Sequence, residues 1–301
     1  MLGSLAEGIE SRGIVEMTQG NDMSNTGVTN EAPARVLAIA SGKGGVGKTN
    51  IVSNLAIAFS RAGKRVLAMD GDLGLANLDI AFGLTPDMTL LDLFDGTGTI
   101  QEVICDGPEG VKLLPGCSGR YDVANLNEQE RFSLFAAIDS LEDDFDILMV
   151  DTGAGLNSNA VAFAAAAQTV ILVADPDPTS LADAYAFVKV MATRCGIKKV
   201  DLIANRVANA KEGEDVYRKL SVLVNRFLQV GINYLGYINT DAAISRATRG
   251  GVPVLLGEPN ALASQRINSI AHKILAQPYE APETGGIRLF WKRLVGWKEV
   301  S

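Results

Sequence analysis

Two lysines and four glycines within nine residues, Ser41-Gly42-Lys43-Gly44-Gly45-Val46-Gly47-Lys48-Thr49, carry the first chemistry of this chain. The run fits the pattern G-x-x-x-x-G-K-[ST]. It follows the apolar stretch Val36–Ala40 and precedes a helical pattern over Ile51–Phe59, the strand, loop and helix order that a phosphate-binding loop requires. Backbone N–H groups of Gly44, Gly45, Val46 and Gly47 are expected to curl around a triphosphate, with partial positive charge added by the helix N-terminus. Lys48 is expected to reach the β- and γ-phosphates, and the Thr49 hydroxyl to ligate Mg²⁺.

Carboxylates at the ends of two further apolar runs complete a set for phosphoryl transfer. Leu148-Met149-Val150 ends in Asp151, placed to hold the water shell of Mg²⁺ beside the loop, and Thr152–Gly155 reads as a mobile turn that answers a γ-phosphate. Met69-Asp70-Gly71-Asp72-Leu73-Gly74 puts two carboxylates on one side of an extended segment. Asp72 is the candidate for positioning the attacking water, and Asp70 supports Mg²⁺ or the loop. Lys43 is surplus to the phosphates that Lys48 serves. Its assigned work is to cross a two-fold interface and neutralise charge on the partner subunit's nucleotide, as an arginine finger does in trans, which makes hydrolysis depend on dimerisation.

The elements that must position these groups follow from apolar patterning. Strands are expected at Arg65–Asp70, Val111–Leu114, Asp146–Asp151, Thr169–Ala174, Val200–Ala204 and Tyr234–Ile238. They alternate with helical patterns at Glu128–Leu141, Ser180–Arg194, Gly213–Leu228 and Ala261–Leu275. Such alternation predicts an α/β fold, a doubly wound and mostly parallel sheet with helices on both faces, in which ligands sit beyond the carboxyl ends of the strands. Met1 to Pro33 is polar and reads as a flexible leader, 34–278 as the nucleotide-binding domain, and 279–301 as a linker and an amphipathic helix.

Composition bounds the partners. The 301 residues are 47% hydrophobic and 21% charged with a net charge of −8, and no apolar run is long enough to span a membrane. Without a signal peptide pattern the chain is expected in the cytosol. Cys105, Cys117 and Cys195 are too few and too far apart for a disulfide framework or a C-x-x-C site, and His272 reads as a surface or packing residue. The acidic body argues against direct DNA binding, which needs clustered Lys and Arg. The tail differs. On a helix, Ile287, Phe290, Trp291, Leu294, Val295 and Trp297 form an apolar stripe about 160° wide, with Arg288, Lys292 and Arg293 outside it. That pattern predicts an interfacial helix on an anionic membrane surface, with a last helix docked on its own domain as the competing reading.

Lys43–Thr49, Asp70–Asp79 and Val150–Gly155 resemble the deviant Walker A, switch I and Walker B/switch II segments of the MinD/ParA family of ATPases. Within that family, Pro176–Ala186 and Ala204-Asn205-Arg206-Val207 resemble the FlhG/FleN group, which regulates bacterial flagellar number and placement. The resemblance implies an ATP/ADP- and Mg²⁺-dependent switch: monomeric without ATP, a homodimer with it, membrane-bound on the inner face of the cell membrane as the dimer, and reset by slow hydrolysis. It makes Asn205 an adenine contact. Implied partners are a flagellar GTPase, flagellar switch or C-ring proteins, or a flagellar transcription regulator. Two departures stand out: the family often has proline near Asn239, and the Asp-Gln-Ala-type segment with which one FlhG branch stimulates the GTPase is not found in Met1–Pro33. A MinD-type division-site ATPase and an ATP-gated scaffold with negligible turnover are the alternatives.

Overall fold

The computed structural model describes residues 33–72, 76–116, 137, 141–279 and 286–296. Eight strands form one sheet: β1 (Arg35–Ser41), β2 (Val66–Gly71), β3 (Cys105–Asp106), β4 (Lys112–Leu114), β5 (Ile147–Ala154), β6 (Thr169–Ala174), β7 (Lys199–Val207) and β8 (Gly231–Asn239), in the spatial order β3-β4-β2-β5-β1-β6-β7-β8. All neighbours are parallel except β3 and β4. The chain reverses direction across the sheet on either side of β1. The crevice beyond its carboxyl end is therefore where an α/β sheet takes its ligand.

Alternation along each strand divides the core in two. Val36, Ala38 and Ala40 of β1 join one apolar cluster, and Leu37 and Ile39 join the other. The first cluster is covered by α5 (Ser158–Ala166), α6 (Pro178–Cys195), α7 (Ala210–Leu228) and α11 (Gly286–Val295). The second is covered by α1 (Lys48–Arg61), α2 (Leu78–Phe82), α8 (Ala242–Arg249), α9 (Val254–Gly257) and α10 (Leu262–Leu275). Two short helices, α3 (Leu90–Phe94) and α4 (Ile100–Val103), each start with a Thr capping box and lie between β2 and β3. A sheet buried on both faces explains why its strands read as unbroken apolar runs.

Of three expectations, the first changes, the second falls mostly outside the described residues, and for the third the structure shows the docked form. β5 runs on to Ala154, so Thr152 and Gly153 are strand and not a free turn: Thr152 Oγ1 donates to Ile39 O at 3.0 Å and Gly155 N to Ser41 O at 3.0 Å. The helix expected over Glu128–Leu141 lies largely outside the described residues. The third concerns the tail, where Ile287, Phe290, Trp291, Leu294 and Val295 are buried in the first core cluster, with Phe290 6.2 Å from Phe163 of α5, ring centroid to centroid. The apolar stripe is spent on the domain itself and is not presented to lipid; Trp297 lies outside the described residues.

That docking is specific. Glu142 Oε1 accepts Gly286 N at 2.6 Å and its Oε2 accepts Arg288 N at 2.9 Å, so one buried carboxylate satisfies N–H groups that the first turn of a helix leaves open. A Cβ on Gly286 would stand 1.5 Å from Ala34 O, so only glycine allows this approach.

Candidate active site

β1, β2 and β5 bring the predicted groups to one end of the sheet. Asp70 and Asp151 are register partners, and Ile39 pairs Asp151 from the other side. The loop leaves β1 at Ser41 and enters α1 at Lys48. Gly47 takes the left-handed conformation, φ 97°, and a Cβ there would lie 2.6 Å from Asn205 Nδ2. Asn205 Nδ2 donates to Val46 O at 2.7 Å and braces the loop from outside. From inside, the buried Lys48 Nζ donates to Ser41 Oγ at 3.1 Å, which donates in turn to Lys43 O at 2.7 Å. Burial lowers the Lys48 pKa against the opposing pull of Asp151, Asp72 and Asp70.

Asp151 is buried beside Thr49, whose side chain lowers its pKa, and its Oδ1 has no hydrogen-bond partner among the described residues. Burial first, and then the Asp70 charge, push its pKa up to about 7 against Thr49 and Lys48. An orphaned buried acceptor beside a hydroxyl is a donor set for a hard cation. No group of three or more His, Cys, Asp or Glu forms a metal cage among the described residues. That fits Mg²⁺, which is commonly held by one or two protein oxygens together with phosphate and water. Thr49 and Asp151 would hold it, and when bound it neutralises charge developing on the β- and γ-phosphate oxygens.

Asp70 is drawn elsewhere. Its Oδ1 accepts Asp72 N at 3.0 Å, and its Oδ2 accepts Asn77 N at 2.8 Å and Leu78 N at 2.9 Å. Burial still pushes its pKa up to about 6. These bonds tie Asp70 to the segment after β2 and the start of α2, the loop-supporting part of its expected role. Asp72 reaches toward the end of β5, its Oδ1 3.6 Å from the position of a Cβ on Gly153. Lys43 is partly exposed and turned onto the start of α6, with Nζ 3.0 Å from Asp177 Oδ2 and 2.8 Å from Thr179 Oγ1. The Asp177 hydrogen bond raises the Lys43 pKa, and this contact must break before the lysine can act on another subunit.

Beside the loop opens a pocket of about 130 Å³, lined by Gly47, Asn50, Asn54, Asn205, Arg206 and Asn239 among others. Asn239 went unassigned in the sequence, yet it ends β8 beside β7 as Asn205 lies near the end of β7. Asn239 Nδ2 donates to Ala208 O at 3.0 Å. With an amide nitrogen of each committed to a carbonyl, the buried Oδ1 atoms of Asn205 and Asn239 are left without a partner at this wall. Acceptors suit the exocyclic amine of adenine and would repel the carbonyl of guanine. Arg206, between them in sequence, holds φ 57° where the β7–β8 register shifts, a strained backbone at a ligand wall.

A phosphate-binding loop between strand and helix, an acidic strand end facing it and a base pocket at the neighbouring strand ends define a P-loop nucleotide-binding protein. The chain matches the CobQ/CobB/MinD/ParA nucleotide binding domain over residues 37–254 and belongs to that family. It is 38% identical over 263 residues to the antiactivator FleN of Pseudomonas aeruginosa, covering 87% of this chain and 94% of that one. To the flagellum site-determining protein YlxH of Helicobacter pylori it is 35% identical over 271 residues, covering 88% and 91%. The septum site-determining protein MinD of Pyrococcus horikoshii, solved with Mg-ADP, has a TM-score of 0.64 and 27% identity over 80% of this chain and 96% of that one. The protein is an ATPase of this family.

Because the nucleotide-free Asp151 titrates near 7 and a metal needs the carboxylate, Mg-nucleotide binding at pH 6 is expected to release close to one proton. Calorimetry in buffers of different ionisation enthalpy should find this release, see it vanish above about pH 8, and miss it in Asp151→Asn. The stability sign is the same: between the ordinary Asp value near 4 and about 7 the folded chain keeps a proton that the unfolded chain has lost. The resulting stabilisation is full below about pH 4 and is lost as pH rises through about 7.

Proposed function

We propose that this chain is a dimerising ATP switch that binds the inner face of the cell membrane in its ATP state, resets by slow hydrolysis, and regulates the number and placement of flagella. The carrying observation is its 35% identity to a flagellum site-determining protein over 91% of that protein's length, beside 38% identity to the antiactivator FleN over 94% of its length. Asn205 and the loop residues Gly44 to Thr49 hold the nucleotide, Thr49 and Asp151 serve the metal, Asp72 orients water, and Lys43 acts across the dimer. A relative described as an antiactivator favours a transcription regulator over a GTPase or C-ring proteins as the partner. The likeness to MinD favours a division-site role as the second reading. Deleting the protein and imaging flagella and septa decides between them: altered flagellar number with normal septa is expected, and misplaced septa with normal flagella would reverse the assignment. Phosphate release by the purified protein separates the switch from a scaffold without turnover.

Membrane contact through Ile287–Trp297 requires α11 to leave its groove. A route exists in the chain: α5 begins at Ser158, just beyond the β5 end that faces the nucleotide, and Phe163 of α5 packs on Phe290. In a Trp297→Phe protein, Trp291 is the sole tryptophan and is 1% exposed. Its emission should be protected from acrylamide without nucleotide, become quenchable with ATP, and be quenched by brominated anionic lipid only when ATP and vesicles are both present. Protection from both quenchers in every state would leave α11 a docked helix throughout.

A further inference from the structure

Asn157, at the start of α5, makes two bonds at once. Its Oδ1 accepts Ala160 N at 2.7 Å and caps the helix, while its Nδ2 donates at 2.9 Å to the carbonyl of Ala154, the last residue of β5. The first is what an N-cap asparagine does. The second lies outside capping and ties α5 to the strand that carries Asp151. The acceptor of that tie belongs to the Ala154–Gly155 peptide, whose N–H donates to Ser41 O, at the start of the phosphate-binding loop, at 3.0 Å. Asp72 shares the space: a Cβ on Gly153 would lie 3.3 Å from Asn157 Nδ2 and 3.6 Å from Asp72 Oδ1. Further along α5, Phe163 is fully buried between the nucleotide site and the tail. A Cβ on Gly71, the residue between Asp70 and Asp72, would stand 3.4 Å from Phe163 Cγ, and the ring packs on Phe290 of α11. The other buried residues of α5 are four alanines and one valine, so its surface offers only shallow ridges for its neighbours to hold.

We propose that Asn157 is a positioning residue that sets the place of α5 by nucleotide state: its bond to Ala154 O belongs to the nucleotide-free arrangement and breaks when a γ-phosphate takes the Gly155 N–H. This rests on the ATP-switch reading above. The reason lies in one rigid unit. A peptide is planar, so the Gly155 N–H and the Ala154 C=O turn together. An anionic phosphate oxygen is a stronger acceptor than the Ser41 carbonyl and draws the N–H toward itself. Gly155, at φ 78°, follows this rotation without a side chain in the way. Asn157 cannot follow the turning carbonyl without leaving Ala160 N, so the tie is lost and the cap is kept. α5 is then free to shift, and Phe163 carries the shift to Phe290.

The test compares the full chain with Asn157→Ser and Asn157→Ala at one protein concentration, with Asn159→Ala, on the same turn, as control. Serine caps a helix about as well as asparagine but has no amide to reach Ala154 O, so the fold is kept and the tie is cut. With nothing to resist the γ-phosphate, Asn157→Ser should bind the non-hydrolysable analogue AMP-PNP about three- to tenfold tighter than wild type, the worth of one neutral hydrogen bond. ADP, which has no γ-phosphate, should bind within about twofold, and the control should match wild type with both. Amide exchange at residues 160–162 should quicken roughly fivefold or more when AMP-PNP is added to wild type, and should already be fast without nucleotide in Asn157→Ser. Asn157→Ala should share the AMP-PNP preference and melt at a lower temperature, since it loses the cap as well. Unchanged affinity of Asn157→Ser for both nucleotides would overturn the proposal and leave Asn157 a cap. Weaker AMP-PNP binding would overturn it too, by placing the bond in the ATP state. Light scattering and Trp291 quenching of the wild type test the switch reading separately. If AMP-PNP neither dimerises the chain nor opens α11, that reading fails, and the AMP-PNP preference of Asn157→Ser decides the role of Asn157 by itself.

Discussion

Lys43→Ala is expected to bind ATP within about threefold of wild type and to lose hydrolysis by about 10³-fold, with a weaker ATP-dependent dimer. The lysine lies on the exposed side of the loop, where it meets Asp177 and Thr179 and does not reach the buried place that Lys48 occupies. Removing it leaves the backbone cradle and the Thr49–Asp151 pair intact, so ground-state binding survives. What is lost is a cation that would meet charge developing on a second subunit's nucleotide. Asp177→Ala supplies the opposite arm: releasing the lysine from its own chain should leave turnover equal to or above wild type. Asp72→Ala should separate from both by keeping the ATP-bound dimer while slowing hydrolysis, because it removes water positioning alone. Steady-state phosphate release with light scattering checks all three. Wild-type turnover and dimer fraction in Lys43→Ala would remove the trans role.

Phe290→Ala is expected to cost about 3–5 kcal/mol of stability in the nucleotide-free protein, lowering its melting temperature by roughly 10 °C. Phe290 is fully buried, packs edge-on against Trp291 and tilted against Phe163, and cannot be truncated without leaving a cavity. Glutamate at Phe290 or Trp291, an apparent way to abolish lipid binding alone, should instead damage the fold, since a carboxylate there has no solvent. The alanine variant also probes the switch. If α11 leaves its groove in the ATP-bound dimer, the penalty falls on the docked state only, and Phe290→Ala should dimerise with ATP at lower protein concentration than wild type. Equal destabilisation with and without ATP, with an unchanged dimerisation midpoint, would keep α11 docked in both states.

Much of the site was legible because its parts are local. A phosphate-binding loop is one turn between a strand and a helix, and its spacing is written in consecutive residues. Asp151 could be placed because an apolar strand that ends in a carboxylate delivers it to the ligand end of any parallel sheet. Asn239 could not, since its meaning depends on lying beside Asn205 across the neighbouring strand, and nothing in the segment Tyr237-Ile238-Asn239 announces an orphaned acceptor. Asp70 was read as metal or loop for a related reason. Two carboxylates on one side of an extended segment are equivalent until the backbone N–H groups of Asn77 and Leu78 turn back onto one of them.

The chain by itself determined the alternation of strands and helices, the nucleotide loop and the presence of an amphipathic helix near its end, because period and composition say which side chains must leave water. They do not say what will cover them. Tertiary structure decided that the stripe of α11 is covered by α5, with Glu142 closing its first turn, while apolar side chains of α7 stay in solvent. Both helices are amphipathic, and which apolar face is spent on the core depends on the groove the sheet leaves beside it, a quantity that exists only once strands distant in sequence have come together.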